Sequence, residues 1–271
     1  MPEGDTVYRL ARRLDTTLAG RVLARGDLNV PQHATADLSG FTVRGHATHG
    51  KHLLTRLTRD DSDPLTLHTH LRMDGSWTVL APGKRLPRTL EPDVRVRLEL
   101  VGGGGAVGLK LPVVELLLTR DEHTVVGYLG PDPLRPDWDL EEAVRRLTAD
   151  PARPFVAALL DQRLLAGLGN LWVNEVSFLR GIWPWTPIGD VDVPGAVKLA
   201  ARMLRFSATH PRAVQVTTGD LRPGRQHWVA GRAGQPCLRC GTTVQVKAEV
   251  SGDPEQRRTW WCPHCQPEPE V

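Results

Sequence analysis

Apolar residues recur every three to four positions near the start of the chain, at Val7, Leu10, Ala11, Leu14 and Leu18. This spacing places them on one side of a helix and predicts an amphipathic α-helix over residues 5–18. Gly20 follows the last apolar position, where a glycine commonly ends a helix. The helix would pack on the domain that follows and bring the start of the chain to its edge.

From residue 21 to residue 129 the pattern changes to short apolar runs separated by Gly, Pro and Asp. Asp74-Gly75 and the glycines at 102–105 are two such turn signals. Many short strands in succession predict a β-sandwich or a barrel-like domain. The candidate strands cover residues 22–29, 41–48, 52–58, 64–71, 76–80, 94–101, 113–119 and 123–128.

Helical spacing returns after a proline-rich linker at residues 130–136. Asp139 stands where its side chain can cap a helix over residues 140–149. The same apolar period predicts three more helices, over residues 154–165, 171–180 and 194–208. The chain therefore combines a β-rich first half with a helical second half.

Composition is that of a soluble globular protein, with 271 residues, 40% hydrophobic and 24% charged. No apolar run approaches the length of a membrane span, and the N-terminus lacks a hydrophobic signal region, so we expect a cytoplasmic protein. The net charge of +3 is unevenly distributed, because residues 198–247 hold nine Lys or Arg and one acid, Asp220. Such a surface suits a polyanion, although a solvated basic face has the same composition.

Four cysteines form two C-x2-C pairs, Cys237 with Cys240 and Cys262 with Cys265. Two such pairs supply the four thiolates that Zn2+ binds in a tetrahedron. Two disulfides are the alternative, but the chain shows no export signal. We therefore expect one Zn2+, and because four cysteines leave no open coordination position, its role is structural.

The chain starts with Met1-Pro2-Glu3. Removal of Met1 would expose the secondary amine of Pro2, and an α-amino group with a pKa near ~8 is partly unprotonated at neutral pH. Such an amine can attack a sugar carbon and form a Schiff base. Glu3 beside it can act as a general acid or base. Taken alone, the same residues are also an ordinary tolerated start.

Three further segments carry polar groups at predicted turns. Gly50-Lys51-His52 lies between two strands, where the lysine could reach a phosphate or remain solvated. The segment 68–75 holds His68, His70, Arg72 and an apolar Met73, which is either a core residue or a wedge for a base stack. Gly167-Leu168-Gly169-Asn170 precedes a helix whose N–H groups could bind a phosphate.

Taken together and in order, these segments resemble the Fpg/Nei family of DNA glycosylases along essentially the whole chain. The shared pattern includes Pro2-Glu3-Gly4, Gly50-Lys51, His70 to Met73, Asp161-Gln162, Gly167 to Asn170, Asn174-Glu175, Arg257 and the four cysteines. The resemblance implies an α+β multidomain fold: an N-terminal helix plus β-sandwich over 1–130, a helix–two-turns–helix domain over 131–225, and a C-terminal zinc finger over 226–271.

The resemblance also implies a bifunctional DNA glycosylase and AP lyase of base excision repair, which flips a damaged base out of duplex DNA. Pro2 would attack C1′ of the nucleotide, Glu3 would protonate the sugar ring oxygen or shuttle protons, and β,δ-elimination would cut the strand. Lys51 would be the third catalytic residue. The implied DNA-binding residues are His70, Arg72, Met73, Asn170 and Arg257, with Met73 filling the void left by the flipped base.

Two features favour the endonuclease VIII (Nei) branch, which removes oxidised pyrimidines. The start Gly4-Asp5-Thr6 resembles that branch, and residues 102–112 lack the Asp-x-Arg-x-Phe-Gly signature of the formamidopyrimidine branch. The loop Arg72-Met73-Asp74 differs from the Gln-Leu-Tyr that is common in Nei proteins. An oxidised-purine, 8-oxoguanine-type glycosylase therefore stays as an alternative.

A second alternative belongs to a different class, a non-catalytic protein that binds damaged DNA and keeps Met1. For either class we expect a monomer that binds double-stranded DNA with damaged bases or abasic sites. We expect it at the nucleoid, without a membrane partner.

Overall fold

The structure, a computed structural model, describes residues 2–212, 214–248 and 257–269. Contacts between Cα atoms divide the chain into two compact units, residues 1–2 with 6–128 and residues 3–5 with 129–271. None of the helices in the described ranges has both the length and the apolar content that crossing a membrane requires. The three domain ranges given above stay predictions.

The first unit is a sandwich of two antiparallel four-stranded sheets, ordered β2-β3-β4-β8 and β1-β6-β7-β5. Helix α1 (Gly4–Leu18) packs Val7, Leu14 and Leu18 into a core that residues of both sheets share. The apolar spacing of the sequence therefore predicted the buried side of α1 correctly. The strands are β1 (Leu23–Leu28), β2 (Thr42–His49), β3 (His52–Thr58), β4 (Leu65–His70), β5 (Ser76–Leu80), β6 (Val94–Leu100), β7 (Gly105–Leu109) and β8 (Val113–Leu118).

Strand β7 was not predicted, because its glycines read as part of a turn. All five of its residues are buried, and it lies between β6 and β5. A Cβ at Gly108 would lie 2.4 Å from Leu111 Cδ1, and one at Gly105 would lie 2.0 Å from the Leu98 carbonyl oxygen. The glycines are therefore required by close packing inside the sheet, which local propensity does not reveal.

The strand predicted over residues 123–128 is wrong, because this segment forms the short helix α2 (His123–Val126). The Glu122 carboxylate just before it accepts two hydrogen bonds from the Arg56 guanidinium, at 2.8 and 2.7 Å, and one from the Thr66 hydroxyl at 2.7 Å. These contacts hold the chain in a turn after β8. Tertiary contacts therefore override the β propensity of the valines.

The second unit contains four longer helices, α3 (Leu140–Leu147), α4 (Phe155–Leu160), α5 (Asn170–Arg180) and α6 (Val193–Thr209). Asp139 caps α3 as predicted, since its Oδ1 accepts the Glu142 N–H at 3.0 Å. Helix α4 ends at Leu160 rather than at 165 because the Asp161 carboxylate accepts the Arg163 N–H at 3.0 Å and forms a turn. Trp172 and Phe155 are the largest fully buried side chains of the helical core.

A small hairpin completes the second unit, formed by β9 (Gln245–Lys247) and β10 (Thr259–Trp261) in antiparallel register. Phe178 of α5, Val229 and Val244 pack with two of the cysteines in a separate apolar cluster beside it. The finger is therefore built on the C-terminal half of α5.

Candidate functional site

Glu3 is fully buried and caps the N-terminus of α5 with its carboxylate. Its Oε2 accepts the Gly169 N–H at 2.8 Å, and its Oε1 accepts the Leu171 N–H at 2.9 Å. The positive end of the helix dipole and these two donors stabilise the ionised carboxylate. Two N–H groups of the turn that the sequence assigned to a phosphate are therefore used by Glu3.

Gly4 fixes the same segment by a close backbone approach. Its N–H donates to the Gly167 carbonyl at 2.9 Å, and a Cβ at Gly4 would lie 2.8 Å from Gly167 Cα. A contact shorter than 3.0 Å leaves no room for any side chain. Residue 4 is therefore a glycine for steric reasons. Pro2 is half-buried and directly precedes Glu3 and Gly4, the two residues that these contacts anchor. Met1 lies outside the described residues.

Asp5 is also fully buried, and it links the second unit's first residues to two helices. Its Oδ2 accepts the Ser207 hydroxyl at 2.5 Å, and its Oδ1 accepts the Trp172 indole N–H at 3.4 Å. The Ser207 oxygen in turn accepts the Gln215 N–H at 2.8 Å. In the sequence, Asp5 is informative only as part of the Gly4-Asp5-Thr6 start that resembles the Nei branch. No local signal predicts its anchoring role.

In the first unit, Lys51 lies in the turn between two strands, as the sequence predicted, and the structure shows this turn to be a two-residue hairpin loop. His49 pairs with His52 across the loop, and Gly50 has φ +57°, which the first position of such a loop favours. The next pairing in the sheet sets His52 opposite His70. The Lys51 loop and His70 therefore lie at the same end of the sheet.

The loop after His70 presents Met73 to solvent. Met73 is 62% exposed, so the interpretation as a core methionine is wrong. Its loop is closed by the Gly75 N–H, which donates to the Leu71 carbonyl at 2.9 Å. Arg72 adopts φ +46°, and its N–H donates to His70 Nδ1 at 3.0 Å. The backbone of this loop thus fixes the ring of His70 and leaves the Met73 side chain outside.

Behind His70 lie the buried His68 and the half-buried His52, a pair that the sequence did not predict as a unit. His68 Nε2 lies 2.8 Å from His52 Nδ1, and His68 Nδ1 lies 2.8 Å from Glu115 Oε2. The hydroxyl of Tyr128 lies 3.2 Å from His52 Nε2. Burial above all, and then the charges of neighbouring histidines and of Lys51, lowers the pKa of His52 to about 3.

Asn170, a predicted phosphate contact, is buried and joins α5 to the finger. Its Nδ2 donates to the Arg258 carbonyl at 2.8 Å, and its Oδ1 accepts from Asn174 Nδ2 at 3.1 Å. Asn174 Oδ1 accepts the Trp260 N–H at 2.8 Å. The structure therefore places Asn170 beside the residue that follows Arg257. Position 258 contributes its carbonyl, while its side chain is exposed.

Glu175 belongs to the Asn174-Glu175 motif, to which the sequence assigned no role. It is fully buried, and its Oε1 accepts the N–H groups of Val229 and Ala230, both at 2.9 Å. Its Oε2 accepts the Trp228 N–H at 2.9 Å and the Thr217 hydroxyl. One carboxylate thus holds the segment between α6 and the finger.

The four cysteines come together as the sequence predicted. Their sulfur atoms all lie within 4.8 Å of one another, and all four are free thiols. Four sulfurs at about 2.3 Å from one Zn2+ lie roughly 3.8 Å apart, so this cluster fits a tetrahedral ion. Gln266 supports it from behind, since it accepts the Cys262 N–H at 3.0 Å and donates to Ser177 Oγ at 3.0 Å.

Comparisons with known proteins agree with this architecture. The family model described as formamidopyrimidine-DNA glycosylase N-terminal domain matches residues 1–107, and the model described as formamidopyrimidine-DNA glycosylase H2TH domain matches residues 129–202. A protein named probable endonuclease 8 2 from Streptomyces coelicolor is 50% identical, over 99% of this chain and 95% of its own length. A DNA-(apurinic or apyrimidinic site) lyase Nei2 from Mycolicibacterium smegmatis is 42% identical, over 98% and 99%.

Solved structures show the same fold at lower identity. Lactococcus lactis Fpg in complex with abasic-site DNA matches with a TM-score of 0.77 and 22% identity, covering 98% of this chain and 100% of that one. The helix-and-sandwich unit, the helical unit and the cysteine finger are thus those of an Fpg-like fold. The chain belongs to the family of formamidopyrimidine-DNA glycosylases and endonucleases 8, which are DNA-repair glycosylases and AP lyases.

Proposed function

We propose that this enzyme removes oxidised pyrimidines from duplex DNA through a Schiff base on Pro2 and then cuts the strand by β,δ-elimination. The observation that carries the proposal is the buried Glu3 carboxylate at the N-terminus of α5. Removal of Met1 exposes the amine of Pro2. The two hydrogen bonds hold the ionised carboxylate of Glu3 directly after that residue. A Cβ at Gly169 would lie 2.5 Å from Glu3 Cδ, so the glycine is what leaves room for the carboxylate at this position.

The first step is attack of the neutral Pro2 nitrogen on C1′ of the damaged nucleotide. The C1′–base bond breaks with its electron pair going to the base, which leaves as an anion and takes a proton from water. The nitrogen becomes positively charged as it bonds to C1′ and releases its proton to the Glu3 carboxylate. Glu3 then gives this proton to the sugar ring oxygen, and the C1′–O4′ bond opens to leave an iminium. An ionised Glu3 suits this order, because it has to accept a proton before it donates one.

The lyase steps follow from the iminium, which acidifies the hydrogens on C2′. Loss of a C2′ proton expels the 3′ phosphate by β-elimination. Loss of a C4′ proton then expels the 5′ phosphate by δ-elimination, and water releases Pro2 from the sugar fragment. Pro2 and Glu3 therefore serve both the glycosylase and the lyase half-reactions.

The remaining predicted residues would hold the strand on which this chemistry takes place. Lys51 supplies a positive charge at a rigid two-residue loop, and His70 lies at the same end of the sheet. Asn170 Nδ2 carries a second hydrogen beside the one donated to Arg258, and that hydrogen can bind a phosphate oxygen. Arg257, just before the strand β10, and Arg72 add charge for the phosphates around the lesion.

The substrate class follows from the loops that would fill the void in the duplex. Met73 is the exposed apolar tip beside Arg72. The loop between β7 and β8 has three residues, and within it Leu111 is buried and Lys110 pairs with Asp93 at 3.4 Å. This short loop supplies no second wedge of the kind the formamidopyrimidine branch carries, which supports an oxidised pyrimidine as the substrate.

We also propose that the ion held by Cys237, Cys240, Cys262 and Cys265 is Zn2+, with a structural role. Four thiolates favour zinc among common divalent ions. When bound, it would stabilise the finger that positions Arg257. We further propose that the protein is a monomer that acts in the cytoplasm at the nucleoid, where its DNA substrate would lie.

The test is borohydride trapping with duplexes that contain thymine glycol, 8-oxoguanine or an abasic site. We expect the mature protein to form a covalent complex with the thymine glycol and abasic duplexes, and Pro2→Ala to form none. Mass spectrometry should show that Met1 is absent. Capture that survives loss of both Pro2 and Lys51 would refute the mechanism, preference for 8-oxoguanine would reassign the substrate, and retained Met1 with DNA binding but no capture would indicate a non-catalytic protein.

A further inference from the structure

Tyr128 is the last residue of the first unit, and its side chain is 54% exposed while its hydroxyl is bonded inward. The hydroxyl contacts His52 Nε2 at 3.2 Å. His52 continues to His68, and His68 continues to Glu115, each through a bond of 2.8 Å. Four side chains from β3, β4, β8 and the segment after α2 thus form one hydrogen-bonded series, which we call the histidine relay.

The direction of every hydrogen bond in the histidine relay follows from Glu115, the residue at one end of the series. The ionised carboxylate of Glu115 only accepts, so His68 Nδ1 carries the hydrogen and His68 Nε2 accepts. His52 Nδ1 then donates to His68, and His52 Nε2 accepts. The Tyr128 hydroxyl must therefore donate to His52. A single carboxylate fixes both ring tautomers and the orientation of the tyrosine.

His52 also supports the ring of His70 directly. The two ring centroids lie 4.7 Å apart at an interplanar angle of 70°, which is an edge-to-face contact. His52 follows Lys51 in the chain, and its ring lies edge to edge with that of His68, with the centroids 5.1 Å apart and the planes 15° apart. The pKa of His52, lowered to about 3, keeps this ring neutral at physiological pH. The half-buried ring of His52 therefore contacts both His70 and Tyr128 beside the Lys51 loop.

We propose that Tyr128 is a DNA-contacting residue, whose exposed ring packs on a sugar or base of the strand that Lys51 and His70 hold, and that His52 and His68 are positioning residues for it. Because the hydroxyl is used inside the protein, the ring face is what Tyr128 offers to a ligand. A fixed aromatic ring binds nucleotides at little entropic cost. The proposal rests on the DNA-binding role of Lys51 and His70 given above.

Binding to a duplex with a tetrahydrofuran abasic analogue tests the contact, with fluorescence anisotropy on the full chain. We expect Tyr128→Ala to raise Kd roughly tenfold, the usual size of one aromatic–nucleotide contact. Tyr128→Phe should have a smaller effect, since it keeps the ring and loses only the tether. Tyr8→Phe on α1 is the matched control and should bind as wild type. Equal Kd values for Tyr128→Ala and wild type would overturn the contact.

The relay has a second test, because an asparagine amide reaches the position of imidazole Nδ1 and a glutamine amide reaches that of Nε2. His52→Gln can still accept from Tyr128, whereas His52→Asn cannot. We expect His52→Gln to bind the analogue close to wild type, and His52→Asn to bind as weakly as Tyr128→Phe, with no further loss when these two changes are combined. Equal losses for Gln and Asn would mean that His52 acts only through packing, and would overturn the relay.

The chain has two tyrosines, so 3-fluorotyrosine labelling gives two 19F resonances, assigned with Tyr8→Phe and Tyr128→Phe. In the free protein, Glu115→Ala should shift the Tyr128 resonance, and Glu115→Gln, which still accepts from His68, should not. An unmoved resonance in Glu115→Ala would also overturn the relay. If wild type bound the duplex normally while these tests failed, this inference alone would fall; a wild type that neither bound nor trapped DNA would remove the proposed function as well.

Discussion

The carboxylate of Glu3 occupies the space that a side chain on Gly169 would need. A Cβ at Gly169 would lie 2.5 Å from Glu3 Cδ and 2.6 Å from Glu3 Oε1. The two residues are 166 positions apart and share a hydrogen bond of 2.8 Å. Gly169 thus leaves room for the side chain of Glu3, the residue next to the proposed nucleophile. The two positions are therefore sterically coupled.

Gly169→Ala should therefore displace Glu3 while the fold survives. Because proton transfer depends on sub-ångström placement, we expect borohydride trapping to slow on the order of 100-fold. Gly83→Ala is the control: Gly169 is extended at φ −124°, whereas Gly83 has a constrained backbone at φ +76° but open space around it, so the control carries the backbone cost without a steric clash. It should cost about 1–2 kcal/mol of stability and leave trapping unchanged. Trapping by Gly169→Ala at the wild-type rate would show that the Glu3 position is not needed.

Glu175→Gln should destabilise the protein although the two side chains have the same shape. The carboxylate accepts the N–H groups of Trp228, Val229 and Ala230, and an amide would turn donors toward them. We expect a loss of about 3 kcal/mol in urea unfolding, the cost of buried donors without acceptors next to a charge-assisted site. Glu141→Gln on the exposed side of α3 should change stability by less than about 0.5 kcal/mol. Similar urea midpoints for Glu175→Gln and Glu141→Gln would contradict the stabilising role given to the Glu175 carboxylate.

Stability should fall as the pH is lowered because the half-buried His52 becomes protonated on unfolding. Its pKa is about 3 in the folded chain, lowered first by burial, and 6.5 without the fold, so protons bind the unfolded state more tightly. The stabilisation is complete above pH 6.5 and is lost as the pH falls toward 3. Between pH 7.5 and pH 5 this amounts to about 2 kcal/mol. Burial also lowers the pKa of His46, which adds to the same trend.

The measurement is urea unfolding at several pH values for wild type and His52→Gln. The variant lacks the titrating ring, so its unfolding free energy should vary less over this window. Depressed carboxylates such as Asp161, whose pKa its arginine neighbours lower to about 2, act only at more acidic pH. Parallel curves for the two proteins would mean that His52 is not responsible.

Metal analysis should find one zinc per chain, and a strong chelator should release it and weaken DNA binding, because the finger loses folding energy. Cys262→Ser should lower the zinc content below stoichiometry. His264→Ala is the matched control, since His264 lies between two ligands in sequence but outside the four-sulfur cluster. It should keep its zinc. Absence of zinc together with two disulfides would contradict the assignment.

Much of the fold follows from local signals. The period of apolar residues predicted α1, Asp139 predicted the start of α3, and Gly50-Lys51 predicted a turn between two strands, because each signal acts within a few residues. β7 and α2 were missed or wrong for the opposite reason. Close packing around Gly108 and the bonds of Glu122 with Arg56 come from distant parts of the chain, and they outweigh local propensity.

The sequence by itself determined which chemical groups this protein carries. They are a proline that becomes the N-terminal amine when Met1 is removed, a carboxyl group next to it, a lysine in a turn, and four cysteines spaced as zinc ligands. Only the tertiary structure decided what those groups contact. Glu3 meets the N–H groups of α5, Glu175 meets residues 228–230, and the register of β3, β4 and β8 aligns His52, His68 and Glu115. Hydrogen-bond partners and burial depend on which distant segments pack together, and residue types and spacing along a chain do not specify that.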